Sequence, residues 1–420
     1  MLRRLCRYLE GVYGFGGYVA ELTDGRVRPQ IETGRIWLAG FMMFVLRIPS
    51  LNALENQFRH SKIWRGAKGG KAPSADTIGR GFSCISLKPL RRMIIAINRN
   101  CWRNKAIHQR PGQSHRVVAV DGHETVASRC RCCDQCSMRE LRIKGKDGKV
   151  RKVNEYYHRI VVAQWVGCTP PPVLGIEMVL PKEGEVVAAK RLLTRILSDY
   201  SRLIDVITAD AIYLEAPFIR MVTAAGKHVI VVMKQEARDL YKDAERLRSV
   251  IKPRTIQNGA LTTRIWDIPN LSSFTTLGKP VRVVWAEEKT VSRKVVSRSK
   301  PRQITEKTIE ATWIWVTTLG ASVPATKIQQ WGHDRWDLEN RGFNELVTHW
   351  HMDHCFVHNP VAMEALLLTL AVAFLTTYLF YERNLKSQIR PATRLALASR
   401  FLSSVGPSLA DSFPLFASPG

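Results

Sequence analysis

Two aspartates and a glutamate stand where a carboxylate can do chemistry. Asp121 closes the apolar run Val117–Val120, and Asp210 closes Val206–Ala209. A carboxylate next to buried strand residues is costly unless it is paired or binds a cation. Two of them on neighbouring strands repel, which raises a pKa unless a divalent ion sits between them. All-oxygen ligation points to magnesium. Each aspartate taken alone is also an ordinary turn former at a strand end. The glutamate lies in GHDRWDLENRGFNEL (332–346), where Arg335 and Glu339 are four apart and share a helix face. That spacing equally describes a surface ion pair, and Arg341–Glu345 repeats it.

A second cluster is CRCCDQC (130–136). Cys130, Cys133 and Cys136 give two overlapping C-x-x-C spacings, which suit tetrahedral zinc with His123 or Cys132 as a fourth ligand. No second, distant C-x-x-C pair completes the set, so reduced loop thiols are the other reading. His349, His351, His354 and His358 form a further group, read as packing, capping or DNA contacts more readily than as a zinc site. RGAKGGKAPS (65–74) fails the phosphate-loop frame, because Ala72 follows Lys71 where Ser or Thr is required, and no ATP requirement is expected.

The elements that must position these groups change character along the chain. Residues 1–113 are expected to be mostly helical, with an apolar helix at 35–47 and a helix start at Ser74 and Asp76; 108–116 reads as a linker. From 114 to 240 the pattern is three strands, a helix, a strand, a helix and a strand, an α/β rhythm. Residues 241–310 are basic and strand-like in pieces. Within 289–303 they carry six Lys/Arg, and Arg293, Lys294, Arg298, Lys300 and Arg302 are candidate phosphate contacts or simply a solvated face. The core resumes at 311–385 with a strand, an amphipathic helix over 324–350 and an apolar helix over 360–384. The apolar segment 361–380 is long enough to span a bilayer but carries Glu364 and three threonines, and it follows Asn359 and Pro360, a helix-capping pair. It is therefore read as a buried core helix rather than a membrane span. Residues 386–420 are expected to form a weakly ordered tail.

Composition narrows the class. The 420 residues hold 63 Lys+Arg against 36 Asp+Glu, a net charge of +27, with an ordinary 45% of hydrophobic residues. A chain this basic calls for a polyanionic partner, nucleic acid first, and makes an ordinary small-metabolite enzyme a poor reading. Nine scattered or clustered cysteines and a start without an apolar leader fit a reduced, cytoplasmic compartment.

The strings V-x-V-D-G, I-T-A-D-A-x-Y and R-W-x-L-E-N-x-x-F-N-x-L, in this order, resemble the insertion-sequence DDE transposases, in the branch with a β-rich insertion before the final glutamate. The resemblance covers roughly 70–385. It implies an α/β fold with an RNase H-like core, a β-rich insertion and an N-terminal helical DNA-binding region. It implies Asp121, Asp210 and Glu339 as catalytic ligands of two Mg²⁺ or Mn²⁺ ions, with Arg335 contacting the DNA end or orienting the glutamate. It favours Glu339 over Glu345, because Arg-Trp precedes and Phe follows at the family's spacing. The chain departs from that branch at Gly332, where the family has Tyr, and at Leu346, where it has Lys, so those two contacts do not carry over. The implied activity is cutting and joining of double-stranded DNA at the element's terminal inverted repeats and at a target, by a homodimer on DNA at a prokaryotic nucleoid. A catalytically inactive DNA-binding regulator derived from a transposase is the alternative.

Overall fold

The computed structural model describes residues 1–59, 72–144, 148–236, 238–295 and 304–405. Its strands are β1 (His108–Gln109), β2 (Val117–Ser128), β3 (Ser137–Lys144), β4 (Val150–Val166), β5 (Cys168–Thr169), β6 (Val173–Val179), β7 (Val206–Ala209), β8 (His228–Val232), β9 (Arg254–Asn258), β10 (Leu261–Leu271), β11 (Val281–Val295) and β12 (Ile304–Thr317). The chain is mixed α/β and divides into two compact units. One comprises 1–112, 122–200 and 339–420, the other 113–121 and 201–338. The expected linker at 108–116 contains the first boundary, and β2 runs through the second, between Asp121 and Gly122.

In the unit 113–121 and 201–338, the strand order is β2-β7-β8-β12-β11-β10-β9. β2, β7 and β8 are mutually parallel, and β12 through β9 continue antiparallel. All four side chains of β7 are buried, as a parallel strand covered on both faces requires. The helix Ala216–Ala224 supplies the crossover from β7 to β8. The segment expected as a β-rich insertion over 241–310 opens instead with a helix, Asp239–Val250. Its hairpins are not a separate layer. β12 runs unbroken across residue 311 and pairs with β11 along one edge and with β8 along the other, so the basic strands extend the core sheet.

In the other unit, β3, β4 and β6 are antiparallel, with β4 central, and β1 pairs with β5. The apolar segment 361–380 lies in the helix Pro360–Leu379, capped by Asn359, whose Oδ1 accepts from the Ala362 N–H at 3.1 Å. That helix continues to Asn384; it is long and apolar enough to cross a membrane, yet its most apolar window is 94% buried. The helices Thr33–Val45, Ala75–Ser83 and Leu87–Arg103, together with β6, surround it. Two of its polar groups are answered inside: Trp37 Nε1 donates to Thr369 Oγ1 at 2.8 Å, and Arg91 pairs with Glu364. The helices of the region 1–113 belong to the same compact unit as the C-terminal helices; they cover an apolar helix that could not stand exposed. Ser74 caps its helix as expected, accepting from Thr77 N–H at 3.2 Å. Residues 386–405 are not a loose tail. They hold the helix Arg394–Ser403, which buries Leu397 and Phe401 completely. Residues 406–420 lie outside the described residues.

Candidate active site

The register of the parallel pair places two carboxylates side by side. Val120 is level with Ala209, so the next residues, Asp121 and Asp210, leave adjacent strands at the same height. Asp210 ends β7 and begins a short 3-10 turn, Ala211–Tyr213, so the expected strand 203–214 shrinks to four residues. Asp121 does not end its strand, contrary to the sequence reading. β2 continues to Ser128, which puts Asp121 in mid-strand at the boundary between units.

Both carboxylates face cations. Arg335 Nη1 donates to Asp121 Oδ2, and the Arg335 side chain is only 8% exposed. Lys234 Nζ donates to Asp210 at 3.0 and 3.3 Å. Burial alone would raise the Asp210 carboxyl; the Lys234 hydrogen bond, the Ala211 N–H and the charges of Arg335 and Lys234 outweigh it and hold the group below the usual carboxylate range. Asp210, Lys234 and Arg335 line a cavity of about 120 Å³ whose other walls are Val232, Trp313, Trp315, Gly332, His333 and Trp336. The rings pack edge-on: Trp313 meets Trp336 at 4.7 Å and 83°, and Trp315 meets His333 at 5.0 Å and 83°. His333 hydrogen-bonds Glu288 at 2.7 Å, which fixes its ring. Sequence reasoning missed Lys234, His333 and the tryptophan wall. Lys234 follows β8 by two residues, and nothing in its local sequence ties it to Asp210.

The departure at Gly332 has a packing cause. A Cβ there would lie 2.3 Å from Trp315 Nε1 and 2.5 Å from its Cε2. The helix Ala325–Asp334 approaches β12 this closely only because position 332 has no side chain. Trp331 is fully buried, with its ring 5.0 Å from that of His115. Leu346 is buried in the other unit.

Glu339 is the first residue of the other unit, on the π-helical turn Leu338–Phe343. The expected single helix over 324–350 is thus interrupted there. Glu345, the alternative at the same spacing, is paired with Arg394 at 2.8 Å. Arg293 and Lys294 fall on β11, while their side chains, and Arg298, Lys300 and Arg302, lie outside the described residues.

The cysteine cluster assembles differently from expectation. His123 is engaged elsewhere: its Nε2 lies 2.9 Å from Asp353 Oδ1 and its ring stacks on Phe343 at 4.5 Å and 23°. Cys130 is exposed, its sulfur 3.7 Å from Ser128 Oγ. Cys133 and Cys136 instead meet two histidines that sequence reasoning did not join to them, His158 and His358.

Residues 112–376 match the model of the family described as Transposase DDE domain. No curated protein matches the chain.

Proposed function

The chain belongs to the transposase DDE-domain family, and on that premise we propose that it cuts and joins DNA strands at the ends of an insertion sequence, using Asp121, Asp210 and Glu339 to hold two divalent ions in an RNase H-like core. The observation that carries this reading is the level pair Asp121 and Asp210 on parallel β2 and β7, with a cavity lined by Asp210 beside it.

The donor set suits a hard cation. Two carboxylates at equal height supply charged oxygens, and each already attracts a positive group, Arg335 or Lys234. DDE transposases in general use Mg²⁺ or Mn²⁺. Such ions would supply Lewis acidity, lowering the pKa of a water or 3′-hydroxyl and stabilising the leaving oxygen. The rest is work for this chain's residues. Asp210 stays ionised at neutral pH because its surroundings depress its pKa. Arg335 and Lys234, which pair with these carboxylates here, would be within reach of phosphate oxygens brought to the site. The tryptophan and histidine walls exclude water from one side of the cavity and offer faces on which bases can stack. Arg293, Lys294, Arg298, Lys300 and Arg302 add sequence-independent affinity for the duplex. No ATP enters this scheme.

The test is strand cleavage. The full chain is incubated with DNA carrying the flanks of its own gene, with Mg²⁺ or Mn²⁺, beside Asp121→Ala. Metal-dependent nicking at a defined end, lost in the variant while DNA binding persists, is the expected result. Binding without cleavage in any metal would instead favour the inactive regulator.

A further inference from the structure

We propose that Cys133, Cys136, His158 and His358 form a structural zinc site, a thiolate₂–imidazole₂ tetrahedron separate from the carboxylate pair. The register of a hairpin builds half of it. Ser137 pairs with Tyr157 across β3 and β4, so Cys136, one residue earlier, falls opposite His158. A tight turn brings in Cys133: its carbonyl accepts the Cys136 N–H at 3.0 Å, and its own N–H donates to the Cys136 sulfur at 3.3 Å. An N–H aimed at sulfur is the contact that a thiolate rewards. His358 arrives from far along the chain, from the loop that leads into the helix cap at Asn359.

The distances have the size of a tetrahedron's edges. With bonds of about 2.3 Å to sulfur and about 2.0 Å to nitrogen, tetrahedral zinc separates two sulfurs by about 3.8 Å and a sulfur from a nitrogen by about 3.5 Å. Here the sulfurs of Cys133 and Cys136 are 3.7 Å apart. His158 Nε2 lies 3.4 Å from Cys133 Sγ and 3.2 Å from Cys136 Sγ, and His358 Nε2 lies 3.2 Å from Cys136 Sγ. All four donor atoms lie within 4.8 Å of one another. A disulfide between the two cysteines would require a sulfur separation near 2.05 Å, so the pair is held as thiols. His158 is 1% exposed, an expensive place for an imidazole that ligates nothing. Neither ring's Nδ1 has a hydrogen-bond partner among the described residues, which leaves Nε2 as the nitrogen each ring directs at the sulfurs.

Zinc binding releases one proton from each thiol, so two thiolates balance the ion's two charges and the site is neutral. The bond would join the loop after β2, the middle of β4 and a segment some two hundred residues further on. That segment already touches the distal half of β2 through Thr125 Oγ1, which donates to the Met352 carbonyl at 3.1 Å, and through His123 and Asp353. The ion would thus order the far end of the strand that carries Asp121 in its middle.

The test is metal content. The full chain is purified in reducing buffer without chelator, and zinc is measured by plasma mass spectrometry. One zinc per folded chain is expected, retained in Cys130→Ser and His123→Ala and lost in Cys136→Ser and His358→Ala. Should those two variants fail to fold, cobalt substitution of the parent serves instead: tetrahedral ligand-field bands with thiolate charge transfer are expected, and His358→Cys should fold, bind and show stronger charge transfer from a third sulfur. A folded parent that retains neither zinc nor cobalt overturns the site. So does loss of the metal in Cys130→Ser or His123→Ala with retention in His358→Ala. None of these readouts depends on DNA cleavage.

Discussion

A single methyl group added at Gly332 probes the wall of the carboxylate cavity. Two effects oppose each other. Ala in place of Gly inside a helix gains about 1 kcal/mol from propensity alone. Against that, the new Cβ would sit 2.3, 2.5 and 2.7 Å from Nε1, Cε2 and Cδ1 of Trp315. Ordinary contact begins near 3.5 Å, so the ring must retreat by about 1 Å. It has little room. Trp315 is 1% exposed, and its backbone is held on both edges, opposite Val232 of β8 and Val284 of β11. The Trp313 ring stacks at 6.3 Å and His333 closes the edge at 5.0 Å. Overpacking of this kind costs about 1–3 kcal/mol, and an off-rotamer indole adds about 1 kcal/mol. The net expectation for Gly332→Ala is destabilisation by about 1–2 kcal/mol, read by urea denaturation of the full chain. Trp315→Val removes the three atoms that collide, so in the double variant the penalty should largely vanish, with a coupling of about 1–2 kcal/mol. A Gly332→Ala chain as stable as the parent or more stable, or additive behaviour with Trp315→Val, would refute the packing account of this glycine.

Three further outcomes are expected. Lys234→Met removes the cation that a metal must displace from Asp210; because Lys234 is more than half exposed, the effect should be modest, about a fivefold tighter Mn²⁺ affinity by calorimetry, and weaker binding would contradict the arrangement. Arg116 holds Asp205 through two nitrogens at 2.8 Å and its own backbone N–H at 2.7 Å, and these outweigh burial to keep the Asp205 carboxyl below its ordinary range. The pair's contribution should therefore be complete above about pH 4 and fade as pH falls further; Asp205→Asn should cost about 1–3 kcal/mol at pH 7 and much less in acid, measured by denaturation across that range. Burial raises the pKa of Glu364 while Arg91 lowers it. Arg91→Met removes the hydrogen-bonded partner of that buried carboxylate and should cost about 3 kcal/mol at pH 7, less as pH falls through the raised pKa, and Glu364→Met in the same chain should restore most of the loss.

The parts of the site that were legible in the sequence are those whose signal is local. Asp121 follows four apolar residues and Asp210 a run of four that only Thr208 interrupts, and their strands needed only the right register to come level. Ser74 and Asn359 announced helix starts that the structure keeps. The parts that were not legible depend on pairing across distance. His158 lies just ahead of the apolar run that begins at Ile160, with nothing in its local sequence to mark it, and Cys136 reaches it only through the β3–β4 register. The cysteines and His358 were visible as two separate clusters, and spacing alone could not join groups 222 residues apart. Lys234 and the tryptophan wall come from β8, β12 and the helix after it, which converge only in the folded sheet. The tail was misjudged because its Ser and Pro content masked Leu397 and Phe401, which fill the unit's core.

Ion pairing alone would not single out the carboxylate site. Asp205 with Arg116 and Asp121 with Arg335 are both acid–guanidinium pairs in the same unit, and Glu177, Glu183 and Glu345 are also met by arginines. In a chain with 63 basic and 36 acidic residues, most acids find a cation wherever they lie. What separates Asp121 and Asp210 is placement. Asp205 precedes β7, at the amino end of the parallel strands, and its partner covers the start of β2. Asp121 and Asp210 lie at the opposite ends of the same paired segments, side by side, with a cavity beyond Asp210. In parallel α/β sheets the carboxyl ends of the strands are where ligands bind, because the loops leaving them form a crevice that the helices do not fill. The same kind of side-chain pair therefore acts as a clasp at one end of β7 and as a candidate cation site at the other.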